Sequence, residues 1–302
     1  MGIDAHNLNF LAHAQDLGAR FDRTLAIGRQ ALFVEDRALQ AHAAWRRQQP
    51  LQLPAVAPGR PAYFEPLMQQ WFGTQQADSV DASDYESASF VHDMNLPWPA
   101  LSPQRGHYDA VLDFGCLEHV FDFPTAWRNV VDLCRVGGHI LHALPANNLS
   151  GHGFYQFSPE LFFSLYTPER GFAIKAVLFA QKADPAHWWR VASPLDVKRR
   201  VNLRNSHEVY VMVLAQKLRE PGTGLGPLPA PQQSDYAQDE WLQAGGNALA
   251  TGVSGWQAPL AALGLLDAAR RWRATLQAVR SAGLALPAPD YQRLDVAALL
   301  QR

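Results

Sequence analysis

The chain has little of what secreted, membrane-spanning or nucleic-acid-binding proteins depend on. Only two of its 302 residues are cysteines, Cys116 and Cys134, so a disulfide framework is excluded and a reducing cytoplasm is favoured. The formal net charge of -2 provides no general attraction to nucleic acid or anionic lipid. No run approaches the ~18 apolar residues that cross a bilayer, and the first residues lack a signal peptide pattern. We therefore expect a cytoplasmic protein with no nucleic-acid partner and no stable membrane insertion.

Hydrophobic residues are plentiful, at 48%, enough for a substantial core, and the length allows one large domain with an appendage or two small domains. The clearest pattern begins at residue 108. Residues 108–114 form a short apolar run with an acidic end, as expected for a strand that is buried on both faces. A helical pattern opened by Pro124 follows and stops at Gly137 and Gly138, and residues 139–145 form a second apolar run. This strand–helix–strand unit predicts a parallel sheet.

These residues carry a resemblance to a known family. The strings YDAVLDFGCLEHVFD and VGGHILHALP resemble the fourth strand, crossover and fifth strand of class I S-adenosylmethionine-dependent methyltransferases, especially the type whose acceptors are small molecules or sugars. The Glu118-His119 pair, the glycine turn and the strand ending in Pro145 stand where that family has them. The resemblance covers roughly residues 20–218.

The resemblance implies a Rossmann-like α/β fold, in which a seven-stranded, mostly parallel sheet in the order 3-2-1-4-5-7-6 carries helices on both faces. It makes residues 1–218 a methyltransferase-like domain with an insert at about 48–72. Residues 219–235 read as a linker and residues 236–302 as a helical C-terminal extension. In that extension the pattern from Pro259 to Ala282 predicts an amphipathic helix, which would dock on the domain or form a homodimer or partner contact.

The same resemblance implies which residues bind S-adenosyl-L-methionine as the cofactor. Gly28 ends the first strand, where the backbone approaches the methionine part. Asp81 ends the second strand and matches the carboxylate that holds the ribose diol. Asp93 follows the third strand and matches the residue that meets the adenine amino group, although both aspartates also fit simple turn formation. The end of the fourth strand completes the predicted set with Asp113, Phe114 and Gly115.

A polar loop after the fifth strand, ANNLSGHGFYQF, is the predicted acceptor site. Loops at the carboxyl edge of a parallel sheet commonly carry catalytic residues, and methyl transfer requires an aligned acceptor. We predict His152, Tyr155 and Asn148 as the catalytic residues. A histidine suits a base or an acceptor ligand because this residue type titrates near neutrality. The alternative for His152 is a hydrogen bond that fixes the loop backbone.

Two other patterns favour structural interpretations. His119 is interpreted as packing, and no metal site is predicted, because His139 and His142 are three apart on a strand and point to opposite faces. Residues 183–207 place tryptophans beside cations. That combination suits a sugar or an anion, but a packed, solvated loop is favoured.

The resemblance therefore predicts an enzyme that transfers a methyl group from S-adenosylmethionine to a small-molecule acceptor such as a sugar or surface-glycan precursor. The family has a multi-glycine loop after its first strand, whereas AIGRQALF keeps only Gly28 and adds Arg29 and Gln30. This departure supports an alternative function, a catalytically inactive methyltransferase-like domain that serves as a partner-binding subunit.

Overall fold

The computed structural model describes residues 2–56, 59–203, 205–221, 230–234, 286 and 290–301. The predicted helix from Pro259 to Ala282 lies outside these residues. The strands are β1 Gly2–Ile3, β2 Arg23–Ile27, β3 Ala31–Leu32, β4 Gln76–Asp81, β5 Phe90–Val91, β6 Tyr108–Asp113, β7 Cys134–Asn147, β8 Phe172–Gln181, β9 His187–Val191, β10 Val209–Lys217 and β11 Tyr291–Asp295. The helices are α1 Ala5–Asp16, α2 Asp36–Trp45, α3 Glu65–Phe72, α4 Phe123–Leu133, α5 Pro159–Leu165, α6 Pro194–Val197 and α7 Val296–Leu300.

The main sheet contains the strand order that the sequence predicts. Across the described part of the chain it runs β11-β9-β8-β10-β7-β6-β2-β4-β5. Counted from β5 to β8, the seven predicted strands follow the order 3-2-1-4-5-7-6. The five from β5 to β7 are parallel, and β10 is antiparallel to both β7 and β8. The order reverses between β2 and β6, which makes this the point where an open α/β sheet binds ligands.

The predicted count of seven strands is wrong, because β9 and β11 extend the sheet beyond β8 to nine strands among the described residues. β9 lies in the segment that the sequence favours as a solvated loop. Its two tryptophans, Trp188 and Trp189, are fully buried on opposite faces, so they do not form an exposed sugar-binding platform. β11 lies in the extension that was predicted to be helical.

Hydrophobic residues cover both faces of the sheet. One cluster lies under α4 and α5 and includes Trp127, Phe162 and Tyr166. The other lies under α1 and α3 and includes Phe10 and Trp71. Helices on both faces leave the strand ends as the accessible part of the sheet.

A buried lysine ties α4 to the return strand. Lys217, at the end of β10, is fully buried, and its Nζ donates hydrogen bonds to the carbonyl oxygens of Val131 at 3.0 Å and Cys134 at 2.9 Å. These carbonyls lie at the end of α4, where backbone acceptors lack helical partners. The Nζ also lies 2.9 Å from the half-exposed carboxylate of Glu220, so the buried ammonium has both hydrogen-bond acceptors and a counter-charge.

Within the described ranges, no helix has the length and apolar character needed to cross a membrane.

Candidate functional site at the carboxyl edge of the sheet

A cavity of about 530 Å³ opens beside the carboxyl ends of β6 and β7. The turn after β6, the loop after β7, the end of β8 and the start of β10 form one side, and the N-terminal residues together with Phe33 form the other. Four predicted site residues line it, namely Phe114, Gly115, Asn148 and His152. The other five, Gly28, Asp81, Asp93, Asp113 and Tyr155, are not part of its lining.

Asp113 is not part of the cavity lining, but it holds in place a turn that forms part of the cavity wall. It is fully buried, and its Oδ1 accepts hydrogen bonds from the backbone N–H groups of Cys116 and Leu117, both at 3.1 Å. These bonds hold the start of the 3₁₀ turn Leu117–His119. The carboxylate therefore positions the turn that carries Glu118 and His119.

The second oxygen of Asp113 begins a buried polar chain. Its Oδ2 lies 2.7 Å from Nδ1 of His142, and Nε2 of His142 lies 2.6 Å from the hydroxyl of Tyr166. Burial raises the pKa of Tyr166 well above its usual range, so its hydroxyl keeps its proton. Each ring nitrogen of His142 thus lies within hydrogen-bond distance of an oxygen, and every polar atom of the chain has a partner.

Glu118 is the most unusual ionisable residue of the cavity wall. Its side chain is 0% exposed, and neither carboxylate oxygen has a hydrogen-bond partner among the residues described. Burial, together with the charge of Asp113, raises the pKa of Glu118 to about 8. The nearest basic atoms are Nε2 of His152, 3.4 Å from Oε1, and Nε2 of His119, 3.9 Å from Oε1.

His119 and His152 face each other above Glu118. Their ring centroids are 5.1 Å apart, and the rings are inclined by 69°. Burial and the charge of His152 lower the pKa of His119. The sequence pattern favoured packing for His119, yet its side chain is 47% exposed, so it remains accessible to solvent.

Backbone contacts hold the His152 loop against the Glu118 turn. The N–H of His152 donates to the carbonyl oxygen of Leu149 at 2.9 Å, and the N–H of Phe154 donates to the carbonyl oxygen of Glu118 at 2.7 Å. Gly153 has a φ of 74°, and a Cβ at this position would lie 2.8 Å from the Glu118 carbonyl oxygen. Glycine is therefore required for this close approach.

Asn148 and Tyr155 also hold the loop in place. The amide nitrogen of Asn148 donates to the carbonyl oxygens of Asn205 at 3.0 Å and His207 at 2.7 Å. The Tyr155 hydroxyl donates to the carbonyl oxygen of Phe121 at 2.6 Å, outside the cavity lining. Loop positioning accounts for both sets of contacts, and a catalytic role for either residue stays a prediction.

The turn after β2 lies at the point where the strand order reverses. Gly28 has a φ of 72°, and its N–H donates to the carbonyl oxygen of Val80 at 2.7 Å. Gln30 is buried and folds back on the turn, where its Nε2 donates to the carbonyl oxygens of Ile27 at 2.8 Å and Gly28 at 3.1 Å. Arg29 points elsewhere, with its Nε 2.7 Å from Oε1 of Glu65.

The two predicted adenosine-binding acids lie at adjacent strand ends. Asp81 is partly buried at the end of β4, and its Oδ1 accepts a hydrogen bond from the N–H of Ala82 at 2.7 Å. Asp93 is exposed, and its Oδ1 accepts hydrogen bonds from the backbone and side-chain nitrogens of Asn95 at 2.9 and 2.8 Å. The backbone bond is the main cause of the lowered pKa of Asp93. Both acids have turn contacts that leave further carboxylate lone pairs for a ligand.

Glu118 is not among the predicted site residues. The Glu118-His119 pair stands out in the sequence only as part of the family pattern, because no local signal shows that a glutamate is buried. The available signal was the position of the pair, which directly follows a strand end in the same sheet edge as the His152 loop.

Comparisons with known proteins leave the family undefined. No protein-family model matches the chain, and no curated protein matches it. Solved structures do match. The trans-methyltransferase CalH, in complex with SAH, aligns at 13% identity and a TM-score of 0.38 over 70% of this chain and 57% of that chain. The chain therefore spans little more than half the length of CalH.

Two further structures align over most of their own length. Geranyl diphosphate methyltransferase, in complex with SAM, matches at 12% identity and a TM-score of 0.40 over 70% of this chain and 85% of that chain. The cyclase SpnF matches at 13% identity and a TM-score of 0.38 over 72% and 80%. Likenesses this weak do not identify a family or an activity. The fold class rests on the strand order of this chain itself.

Proposed function

We propose that the protein transfers a methyl group from S-adenosylmethionine to a small-molecule acceptor. The observation that carries this proposal is the strand order 3-2-1-4-5-7-6 with its antiparallel return strand β10. The order reverses between β2 and β6, and ligands of open α/β sheets bind at such a reversal. Fold alone does not establish a reaction, so the site residues supply the remaining support.

The residues at this reversal fit the cofactor. The positive φ of Gly28 lets backbone approach the methionine part closely. Asp81 would bind the ribose diol through the lone pairs that its turn contact leaves, and Asp93 would meet the adenine amino group. Phe114 and Gly115 line the cavity, so they would lie beside the sulfonium of the bound cofactor. When bound, S-adenosylmethionine supplies the electrophilic methyl group.

The 530 Å³ cavity is the proposed acceptor site. Its volume falls in the usual range for small-molecule sites, about 300–1,000 Å³. Phe114 and Pro145 give it an apolar base, while the walls carry carboxylate, imidazole, ammonium and phenol groups. Such walls suit an acceptor with several hydroxyl groups, and a sugar or surface-glycan precursor belongs to that class. In this proposal His152 contacts the acceptor, while Asn148 and Tyr155 keep its loop in position.

Isothermal titration with S-adenosylmethionine and S-adenosylhomocysteine tests the cofactor assignment. We expect micromolar binding that weakens by about tenfold or more in Asp81→Ala, since a carboxylate that accepts hydrogen bonds from a ligand contributes about 1.5–3 kcal/mol. Asp84→Ala is the matched control, because Asp84 is an exposed acid in the turn that follows β4. Absence of binding at millimolar ligand, or equal effects of the two variants, would overturn the assignment.

The second candidate function is an inactive methyltransferase-like subunit that binds a protein partner. Two observations favour it. Gln30 fills the turn where the resembled family has glycine, and the exposed rings of Phe121 and Phe154 meet edge to face near the cavity, with centroids 6.2 Å apart. The same titration separates the two candidates, because a subunit that has lost its cofactor binds neither adenosyl compound.

A further inference from the structure

Three potential metal ligands converge on the wall of the cavity. One ligand atom each from Glu118, His119 and His152 lies within 4.8 Å of the others. Both imidazole Nε2 atoms approach the same carboxylate oxygen, Oε1 of Glu118, at 3.4 and 3.9 Å. In a tetrahedral site with bonds of 2.0–2.2 Å, neighbouring ligand atoms are separated by about 3.3–3.6 Å. The two distances to Oε1 are therefore close to the separation that a bound metal ion requires, and all three ligand atoms lie within 4.8 Å of one another.

The environment of Glu118 is a second, independent observation that favours a cation at this position. Its side chain is fully buried, and both carboxylate oxygens lack a hydrogen-bond partner among the described residues. A buried carboxylate without donors is unfavourable. Buried charges in proteins are usually paired or coordinate metals, and the two histidines are neighbours that can share such a metal.

The backbone holds the three ligands in this arrangement. Glu118 and His119 belong to the 3₁₀ turn whose start is fixed by Asp113. The hydrogen bond from Phe154 N–H to the Glu118 carbonyl ties the His152 loop directly to that turn. A site built on two locked segments loses little conformational freedom when an ion binds.

We infer that Glu118, His119 and His152 form a binding site for a divalent transition-metal ion. Two imidazoles and one carboxylate suit Zn²⁺, Mn²⁺ or Fe²⁺ better than Ca²⁺ or Mg²⁺, which favour sites made only of oxygen ligands. Three protein ligands leave coordination positions open, as in catalytic rather than structural sites. Glu118 and His152 both line the cavity, so the open positions face it.

The site also narrows the class of acceptor, an extension that rests on the proposed function. A metal ion at this position binds an oxygen of the acceptor, a hydroxyl or a carboxylate, and holds it in the cavity. His152 then contacts the acceptor through the metal and not directly. The sequence predicts no metal site, because His139 and His142 point to opposite faces of a strand. Neither of these histidines belongs to the present site, which combines Glu118 with His119 and His152.

Metal binding is testable on the full chain without the adenosyl cofactor. After treatment with a chelator, titration calorimetry with Zn²⁺ should give one equivalent bound. His119→Asn and His152→Asn should each weaken binding by about 100-fold or more, since even substitutions outside the ligand set commonly cost roughly 10–100-fold. Both side chains are more than two-fifths exposed, at 47% and 42%, so these variants should fold, which circular dichroism checks.

His107→Asn is the matched control, because His107 precedes β6 and lies at the opposite end of that strand. It should leave Zn²⁺ affinity unchanged. With Co²⁺ in place of Zn²⁺, the intense visible absorption of a site with few ligands should appear in the wild type and vanish in both site variants. A dissociation constant for Zn²⁺ above about 100 µM, which corresponds to a weak binding free energy of roughly 5 kcal/mol, overturns the inference. Equal affinity in the site variants and the control also overturns it. Loss of adenosyl binding alone would refute the proposed function and leave the metal site standing.

Discussion

His42 should make the fold sensitive to acid. It is buried on α2, its ring stacks on Trp71 at 5.3 Å, and its Nδ1 lies 3.1 Å from Oδ1 of Asn9. Its Nε2 is buried with no hydrogen-bond partner among the described residues. Protonation would create a second N–H with no acceptor, so burial, aided by the charge of Arg46, lowers the pKa of His42 from 6.5 to about 4.

The direction in which stability changes with pH follows from proton linkage. A histidine whose folded pKa is lowered binds fewer protons than in the unfolded chain, so stability is fully present above pH 6.5 and is lost as the pH falls from 6.5 towards 4. At about pH 5 this histidine should disfavour the folded state by about 2 kcal/mol, and at about pH 7.5 by almost nothing. His42→Phe keeps an aromatic ring against Trp71 and removes the titrating group.

Urea unfolding at the two pH values measures the effect. The loss of unfolding free energy between about pH 7.5 and pH 5 should be about 2 kcal/mol smaller in His42→Phe than in the wild type. Leu39→Ala, in the same helix and also buried, is the control, because it should lower stability equally at both pH values. If His42→Phe keeps the pH dependence of the wild type, the pKa argument is wrong.

Two further variants test how the fold is held together. Lys217→Met removes the donor to the carbonyl oxygens of Val131 and Cys134. It should lower the unfolding free energy by about 2–4 kcal/mol, since each unpaired buried group costs about 1–3 kcal/mol. Denaturant unfolding measures this change, and a free energy equal to that of the wild type within experimental error would contradict the prediction. Gly138→Ala places a Cβ 3.0 Å from two backbone oxygens and should cost about 1–3 kcal/mol by overpacking. Thermal unfolding measures this loss, with Gly151→Ala as the control. A Cβ at position 151 meets nothing within 4 Å, so that variant should keep the melting temperature of the wild type. Equal melting temperatures for the two glycine variants would refute the steric argument.

The sequence predicts the strands well because each is an apolar run bounded by turn residues. The fourth predicted strand, residues 108–114, agrees with β6 to within one residue, and the predicted ends of the first and second strands at Gly28 and Asp81 agree with the ends of β2 and β4 to within one residue. The fifth is longer than predicted, because Gly137 and Gly138 lie inside β7 instead of ending α4. Gly137 has a φ of 83°, and the pairing register with β6 shifts in this region. Glycine occurs both at irregularities within strands and at the ends of helices, so the local pattern does not distinguish the two.

The site is less predictable because its contacts are tertiary. The sequence selects His152 because it lies in a polar loop after a strand, and in the structure His152 lines the cavity. Glu118 is not, because its lack of hydrogen-bond donors arises only when the β7 loop and the 3₁₀ turn close over it. Likewise, the pattern at Trp188 and Trp189 combines aromatics with cations, but the sheet continues through this segment and buries both rings.

The first turn is where the sequence departs most from the resembled family, and its geometry shows what the departure changes. A glycine-rich turn leaves its backbone carbonyls to water or ligand, whereas here the amide of Gln30 donates to the carbonyls of Ile27 and Gly28. Arg29 leaves the turn to pair with Glu65 and to stack over the ring of Tyr63 at 4.1 Å. Neither side chain lines the 530 Å³ cavity. Side-chain hydrogen bonds thus stabilise a turn that glycine would otherwise form, and they leave the 530 Å³ cavity open. The replacement of glycine in this turn is therefore compatible with both candidate functions, and cofactor binding depends on the residues that remain at the reversal of strand order.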